Sequence, residues 1–294
     1  MSRQLSVLIV VIAVIFGAQV SAAPVHASAP YLDLSALPVI PSISGAVARH
    51  ARSLALHGKR IGNRLDVFSK VGDSITRWPF FLVPVGQGQV QFGQYSDLAG
   101  VVGRFSRRVA RTGNSFANDS IAAHDMWNSA DVLNPQMARP GMCNQGETPL
   151  DCELRVTRPG VALIMIGTND LVFDDVNTFR ANLNRIVSVV EAHYVIPVVS
   201  TIPYRRDNPA FQNRVAAYNE IIAQVAFAHN VPIWNYWLAV AGLPSNGVSI
   251  DGIHPSIPPD GKVAYFDSNH LQFGFTVRNL TALQVLKSLI PVLY

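Results

Sequence analysis

Three short runs hold the side chains that nucleophilic acyl transfer needs: Gly72-Asp73-Ser74-Ile75, Gly167-Thr168-Asn169-Asp170 and Asp251-Gly252-Ile253-His254-Pro255. A serine hydroxyl is a weak nucleophile until a base takes its proton, a third group orients that base and donors meet the oxyanion. Ser74 offers the hydroxyl and His254 the base. Asp251, three residues before His254, can accept from one imidazole nitrogen while the other faces the serine. Asn169 offers a side-chain donor, and Pro255 stiffens the loop. Each run alone also reads as an ordinary turn, because Asp and Ser cap helices well. Only their joint occurrence points to a site.

Such residues react only if the chain brings them to one place. Residues 66–71 read as a strand, and Gly72 follows where the backbone must turn sharply. Residues 161–166 form a continuous apolar run, with Pro-Gly before and Gly-Thr-Asn-Asp after, as in a strand buried on both faces of a parallel sheet. Residues 195–200 repeat that pattern and 231–234 do so briefly. Helices are expected over 45–58, 95–109, 177–193, 209–229 and 274–289. Residues 111–150 lack a strong period and read as a long irregular segment. Strands alternating with helices indicate an α/β fold, a three-layer α/β/α sandwich around a central parallel sheet. Sites in such sheets form outside the carboxyl ends of the strands. Ser74 and Asn169 each follow a strand, so both should emerge at that edge.

Composition narrows the class. The chain has 294 residues, 49% of them hydrophobic and 14% charged, enough apolar material for one large core over residues 45–294. The formal charge is +4, but no basic stripe stands out beyond Arg107-Arg108 and Arg205-Arg206, so no nucleic-acid partner is expected. Arg3, the apolar run 5–16 and the small residues after it read as a cleaved signal peptide over 1–27 and predict secretion. Residues 28–44 read as a flexible lead-in. The apolar run is short for a membrane span, and no integral span is expected in the mature chain. In an oxidising compartment, Cys143 and Cys152 read as a disulfide closing a small loop, worth roughly 2.5–3 kcal/mol. No further zinc ligands at metal spacing lie near them. Gly-x-Ser-x-Gly, P-loop and His-Glu-x-x-His patterns are absent, and the expected chemistry calls for no cofactor.

On these residues the chain resembles the GDSL, or SGNH, hydrolase family. Gly72-Asp73-Ser74-Ile75 matches its first block, with Ile in place of the commoner Leu. Gly167-Thr168-Asn169-Asp170 matches the third block, and Asp251, His254 and Pro255 the last. The resemblance implies a flavodoxin-like sandwich and a serine esterase acting on a small-molecule or glycan-linked ester. It implies Ser74 as nucleophile, His254 as general base and Asp251 as its partner, with the Asn169 side chain and the Ser74 amide as oxyanion donors. The sequence departs from the family at the second block, whose glycine supplies a further amide. Residues 118–127 hold no glycine, leaving Gly113 or an amide near Met126 for that role.

Other residues leave alternatives open. His124 and His270 compete with His254 as the base, whereas Asp73 and Asp170 are expected to brace loops. Trp127, Trp234, Tyr236 and Trp237 could form a sugar-stacking surface, as in an enzyme that removes or transfers acetyl groups on glycans. A non-catalytic binding module on the same scaffold is the alternative of another class. Asn118-Asp-Ser and Asn279-Leu-Thr fit the N-glycan acceptor pattern.

Overall fold

The computed structural model describes residues 32–294. The expected signal peptide lies outside the described residues. Four strands, β1 (Arg64–Gly72), β2 (Pro159–Met165), β3 (Ile196–Ser200) and β4 (Ile233–Trp234), form a parallel sheet in the order β1-β2-β3-β4. Every residue of β2 and β3 is buried, which accounts for their unbroken apolar runs. A single parallel bridge, Gly72 to Ala123, adds a short stretch of chain on the other side of β1. Gly72 N–H donates to Ala122 O at 3.0 Å and His124 N–H to Gly72 O at 3.2 Å. The chain thus leaves β1 toward one side and later resumes on the other at β2. That reversal opens a crevice at the carboxyl ends of β1 and β2.

Among the described residues six longer helices accompany the sheet: α1 (Gly45–Arg60), α2 (Ala99–Ser106), α3 (Pro149–Thr157), α4 (Val176–Ala192), α5 (Pro209–His229) and α6 (Gly274–Leu289). The pleat of β1 sorts them into layers. Phe68 meets Phe105 of α2 edge-on, with ring centroids 5.5 Å apart. Its neighbour Ser69 donates to Glu153 of α3 at 2.8 Å. Successive strand residues face opposite ways, so α2 and α3 cover opposite faces. Trp234 of β4 donates to Thr281 of α6 at 3.1 Å. On the α3 side, α4 and α5 pack on each other and on β3. The three-layer α/β/α expectation holds.

The element boundaries follow capping chemistry. Helix α5 opens with Pro209 at its first position and Asn208 accepting the Ala210 N–H, and closes on Asn230 in the left-handed region. Helix α1 runs two residues past Gly58. The stretch expected as one helix over 95–109 is split into a 3-10 turn (Gly93–Leu98) and α2. Helix α3 lies where an irregular segment was expected to end; Thr148 caps it and Pro149 starts it.

The asparagines of both glycan-acceptor patterns are consumed by the fold. Asn279 donates to Phe80 O and Val263 O and accepts from Leu82 N–H, leaving no amide for a glycan. Asn118 is also buried, accepting from Thr112 N–H, so neither acceptor pattern presents a free side chain. In the described part of the lead-in, Leu34 is buried, and Asn235 donates to the carbonyls of Leu34, Leu37 and Val39. Cys143 and Cys152 form a disulfide that ties the preceding loop to α3. Among the described residues no helix is long and apolar enough to cross a membrane.

Candidate active site

The first site loop is built on a close approach. A Cβ at Gly72 would lie 2.1 Å from Met165 O and 2.5 Å from Thr76 Oγ1, so only glycine lets β1 end this near β2. Asp73 then caps a one-turn helix (Ser74–Arg77), accepting from Ile75 N–H at 2.9 Å. Ser74 is the first residue of that turn, so its N–H has no intrahelical partner and is available to an oxyanion. Arg278 of α6 pins the turn from below. Fully buried, it donates to Ile75 O and to Thr76 Oγ1 at 2.9 Å and lies 3.7 Å over the Phe81 ring. Burial pushes Asp73 up to about 6 and Arg278 down to about 10.

The second loop follows β2. Asn169 Nδ2 donates to Trp127 O at 2.9 Å, and its second N–H is left for another acceptor. Asp170 next to it accepts from the Ser129 amide at 3.0 and 3.1 Å and from the Ser129 hydroxyl. Burial pushes the Asp170 carboxyl up to about 7. These bonds fasten the β2 loop to the segment after Ala123. In that glycine-free segment, exposed Met126 takes the left-handed conformation (φ 66°) that glycine adopts most freely. Gly113 lies in a separate turn, where its carbonyl accepts the Ala110 N–H at 2.7 Å.

The third loop carries Asp251 and His254. Asp251 Oδ1 accepts from Ser249 Oγ at 2.6 Å, Ile253 N–H at 2.9 Å and His254 N–H at 3.0 Å. Partial burial alone would raise this carboxyl, but those bonds and the His254 ring outweigh it and hold it down at about 2. The other oxygen, Oδ2, is 2.7 Å from His254 Nδ1. A carboxylate can only accept, so Nδ1 carries the proton and Nε2 is the free acceptor. Nε2 lies 2.9 Å from Ser74 Oγ. Trp78 lies against the imidazole face, with ring centroids 3.8 Å apart and planes 13° from parallel. Gly252 lets the loop pass close to the 201–208 segment: a Cβ there would meet Asp207 N at 2.4 Å. That segment joins the loops, since Arg206 N–H donates to Gly252 O and Arg205 Nη1 to Thr168 O, both at 2.7 Å.

The sequence profile of the GDSL-like lipase/acylhydrolase family matches residues 71–257, a span that takes in all three loops. The chain belongs to that family. Solved structures similar to this GDSL-family chain include a GDSL-like lipase from Bacteroides thetaiotaomicron, at 13% identity over 82% of this chain and 98% of that one, TM-score 0.47. A lipase/acylhydrolase from Enterococcus faecalis shares 22% identity over 73% and 95%, TM-score 0.48. An acetylxylan esterase from Geobacillus stearothermophilus shares 14% over 76% and 94%, TM-score 0.48. No curated protein matches the chain.

The remaining residues singled out from the GDSL-family sequence divide cleanly. His270 is engaged by Asp267 at 2.7 Å and Asp260 at 3.2 Å, and His124 is exposed and stacked on Trp127. It is His254 that meets Ser74. The sugar-stacking alternative finds no support at three of its four residues: Trp127, Trp234 and Tyr236 are 6%, 1% and 0% exposed and belong to the core. Of the four, only half-buried Trp237 reaches the surface, stacked on Tyr204 with centroids 5.2 Å apart. Glu147 lies near both cysteine sulfurs, but a disulfide offers no thiolate to a metal. Sequence reasoning missed Trp78, Arg205 and Arg278. Arg278 carries a signal in hindsight, as a cation within the apolar body of a helix buried nearly all round, whereas the helix's other cation, Lys287, sits in the last turn.

Proposed function

We propose that this GDSL-family protein is a secreted serine esterase that hydrolyses carboxylic esters through Ser74, His254 and Asp251. The observation that carries the reading is the unbroken hydrogen-bond chain from Asp251 through His254 to Ser74, at 2.7 and 2.9 Å. Ser74 Oγ attacks the ester carbonyl carbon while its proton passes to His254 Nε2. The resulting imidazolium is held between the Asp251 carboxylate and the Trp78 face. The Ser74 amide and the free N–H of Asn169 meet the carbonyl oxygen as it becomes an oxyanion. His254 then protonates the leaving alkoxide oxygen as the C–O bond breaks, leaving Ser74 acylated. A water, deprotonated by His254, attacks the acyl-enzyme, releases the carboxylic acid and restores the Ser74 hydroxyl. Secretion is supported by the signal-like residues 1–27 and by the disulfide, which persists in oxidising compartments.

The decisive measurement is p-nitrophenyl acetate hydrolysis by Ser74→Ala. A fall of about three orders of magnitude or more in kcat, with the melting curve unchanged, is expected. An undiminished rate overturns the assignment of the nucleophile. Covalent labelling of the native protein by a fluorophosphonate probe separates an esterase from a binding module on the same scaffold.

A further inference from the structure

A second concave site lies at the opposite end of β1. The cavity, about 690 Å³, is lined by Lys59, Arg64, Asp66, Arg104, Arg107 and Arg108, with Tyr294 on its wall. Five cationic side chains and one acidic side chain, Asp66, are among its lining residues. Its volume lies within the range of small-molecule sites, about 300–1,000 Å³. Arg64 opens β1 and Ser74 follows its end. Strand rise therefore separates the cavity from Ser74 by roughly 30 Å.

The cations differ in what they already do. Arg64 is structural, its donors taken by the carbonyls of Thr157, Val109 and Ala110. Arg108 pairs with Asp66, Nε to Oδ2 at 2.7 Å, which uses the one acidic side chain of the lining. Arg104 donates to Leu65 O at 3.1 Å and stacks 4.4 Å over the Tyr294 ring, yet its Nε is buried without a partner among the described residues. Lys59 and Arg107 are exposed and form no ion pair among the described residues. Burial pushes Arg64 and Arg104 below their ordinary range; the Asp66 carboxylate opposes this for both, and repulsion from Arg108 and Arg107 respectively adds to it. Cations crowded this closely, with an orphaned buried donor among them, gain most from a compact partner bearing several negative charges.

We infer that this cavity is a binding site for a compact multivalent anion, one carrying two or more linked phosphate or sulfate groups, distinct from the ester site. Arg104, Arg107 and Lys59 supply the free donors. Arg64 supplies a fixed positive charge at the floor, and Arg108 stays paired with Asp66.

The test is isothermal titration of the full-length protein with sodium tripolyphosphate at low ionic strength. One site is expected, its affinity falling as sodium chloride is raised. In the double variant Lys59→Ala/Arg107→Ala, affinity falls about ten-fold or more. Arg104→Lys keeps the charge but removes the Nε donor and also weakens binding. Ser74→Ala binds as the native protein does, and the double variant keeps native p-nitrophenyl acetate turnover. Absence of binding at millimolar tripolyphosphate, or equal affinity in the double variant, overturns the inference. The esterase reading is untouched by either result.

Discussion

The Trp78 indole lies face to face with the His254 imidazole, with ring centroids 3.8 Å apart. Trp78 is held there by the turn that carries Ser74, because its N–H donates to Ser74 O at 2.9 Å. Ser74 and the aromatic surface behind His254 are therefore parts of one turn. An indole face attracts a cation over it by about 0.5–2 kcal/mol, so it favours the imidazolium over the neutral ring.

Replacing that face is expected to slow the reaction without removing it. Trp78→Leu should lower kcat about 3–30-fold, by loss of that attraction, and leave KM nearly unchanged. Trp78→Phe should recover part of the loss. The pH profile of kcat/KM distinguishes this from simple damage, because its acidic limb should move to lower pH with the neutral imidazole relatively favoured.

Met126 provides a second test. A side chain with φ 66° costs roughly 1–2 kcal/mol, and glycine relieves that cost at about 0.5–1 kcal/mol of chain entropy. Met126→Gly should therefore raise the melting temperature by about 1–2 °C. Met126→Val, with a β-branched side chain at the same φ, should lower it. Differential scanning fluorimetry of the three proteins checks the order.

The buried carboxyl of Asp170 makes stability depend on pH in a stated direction. Its pKa lies at about 7 in the fold, raised from 3.8 by burial. Between those values the folded chain binds a proton that the unfolded chain does not. Its stabilising contribution is full below pH 4 and is lost as pH rises through 7. Asp73, at about 6, acts in the same direction. Asp251, held at about 2, acts oppositely and only below pH 4. The melting temperature should fall from pH 4.5 to 7.5, and Asp170→Asn should make that slope shallower while Asp73 preserves part of it.

The disulfide acts on stability and not on the chemistry. Cys143 and Cys152 are nine residues apart and precede β2, whereas Asn169 follows it. Closing so short a loop contributes roughly 2.5–3 kcal/mol. Cys143→Ser/Cys152→Ser should melt about 5–10 °C lower. Its p-nitrophenyl acetate turnover at 25 °C should equal that of the native protein.

The sequence by itself carried the scaffold and the names of the residues proposed to react. Strands β2 and β3 were legible because a strand buried on both faces must be apolar throughout, and α5 because Pro209 and the turn at Asn230 bound its period. Ser74, Asn169, Asp251 and His254 were legible because acyl transfer demands those groups and turns after strands present them. The tertiary structure alone decided what surrounds them. The Ala123 bridge beside β1 is too short to leave a period, so the sequence did not reveal how the 118–127 segment is pinned beside the site. Trp78, Arg205 and Arg278 act across 176, 37 and 203 residues of chain, on His254, Thr168 and Ile75. Contacts at such separations leave no local pattern, because only packing brings their partners together. The same reason hid the basic cavity, whose lining comes from three separate stretches of chain and looks in sequence like scattered surface charge.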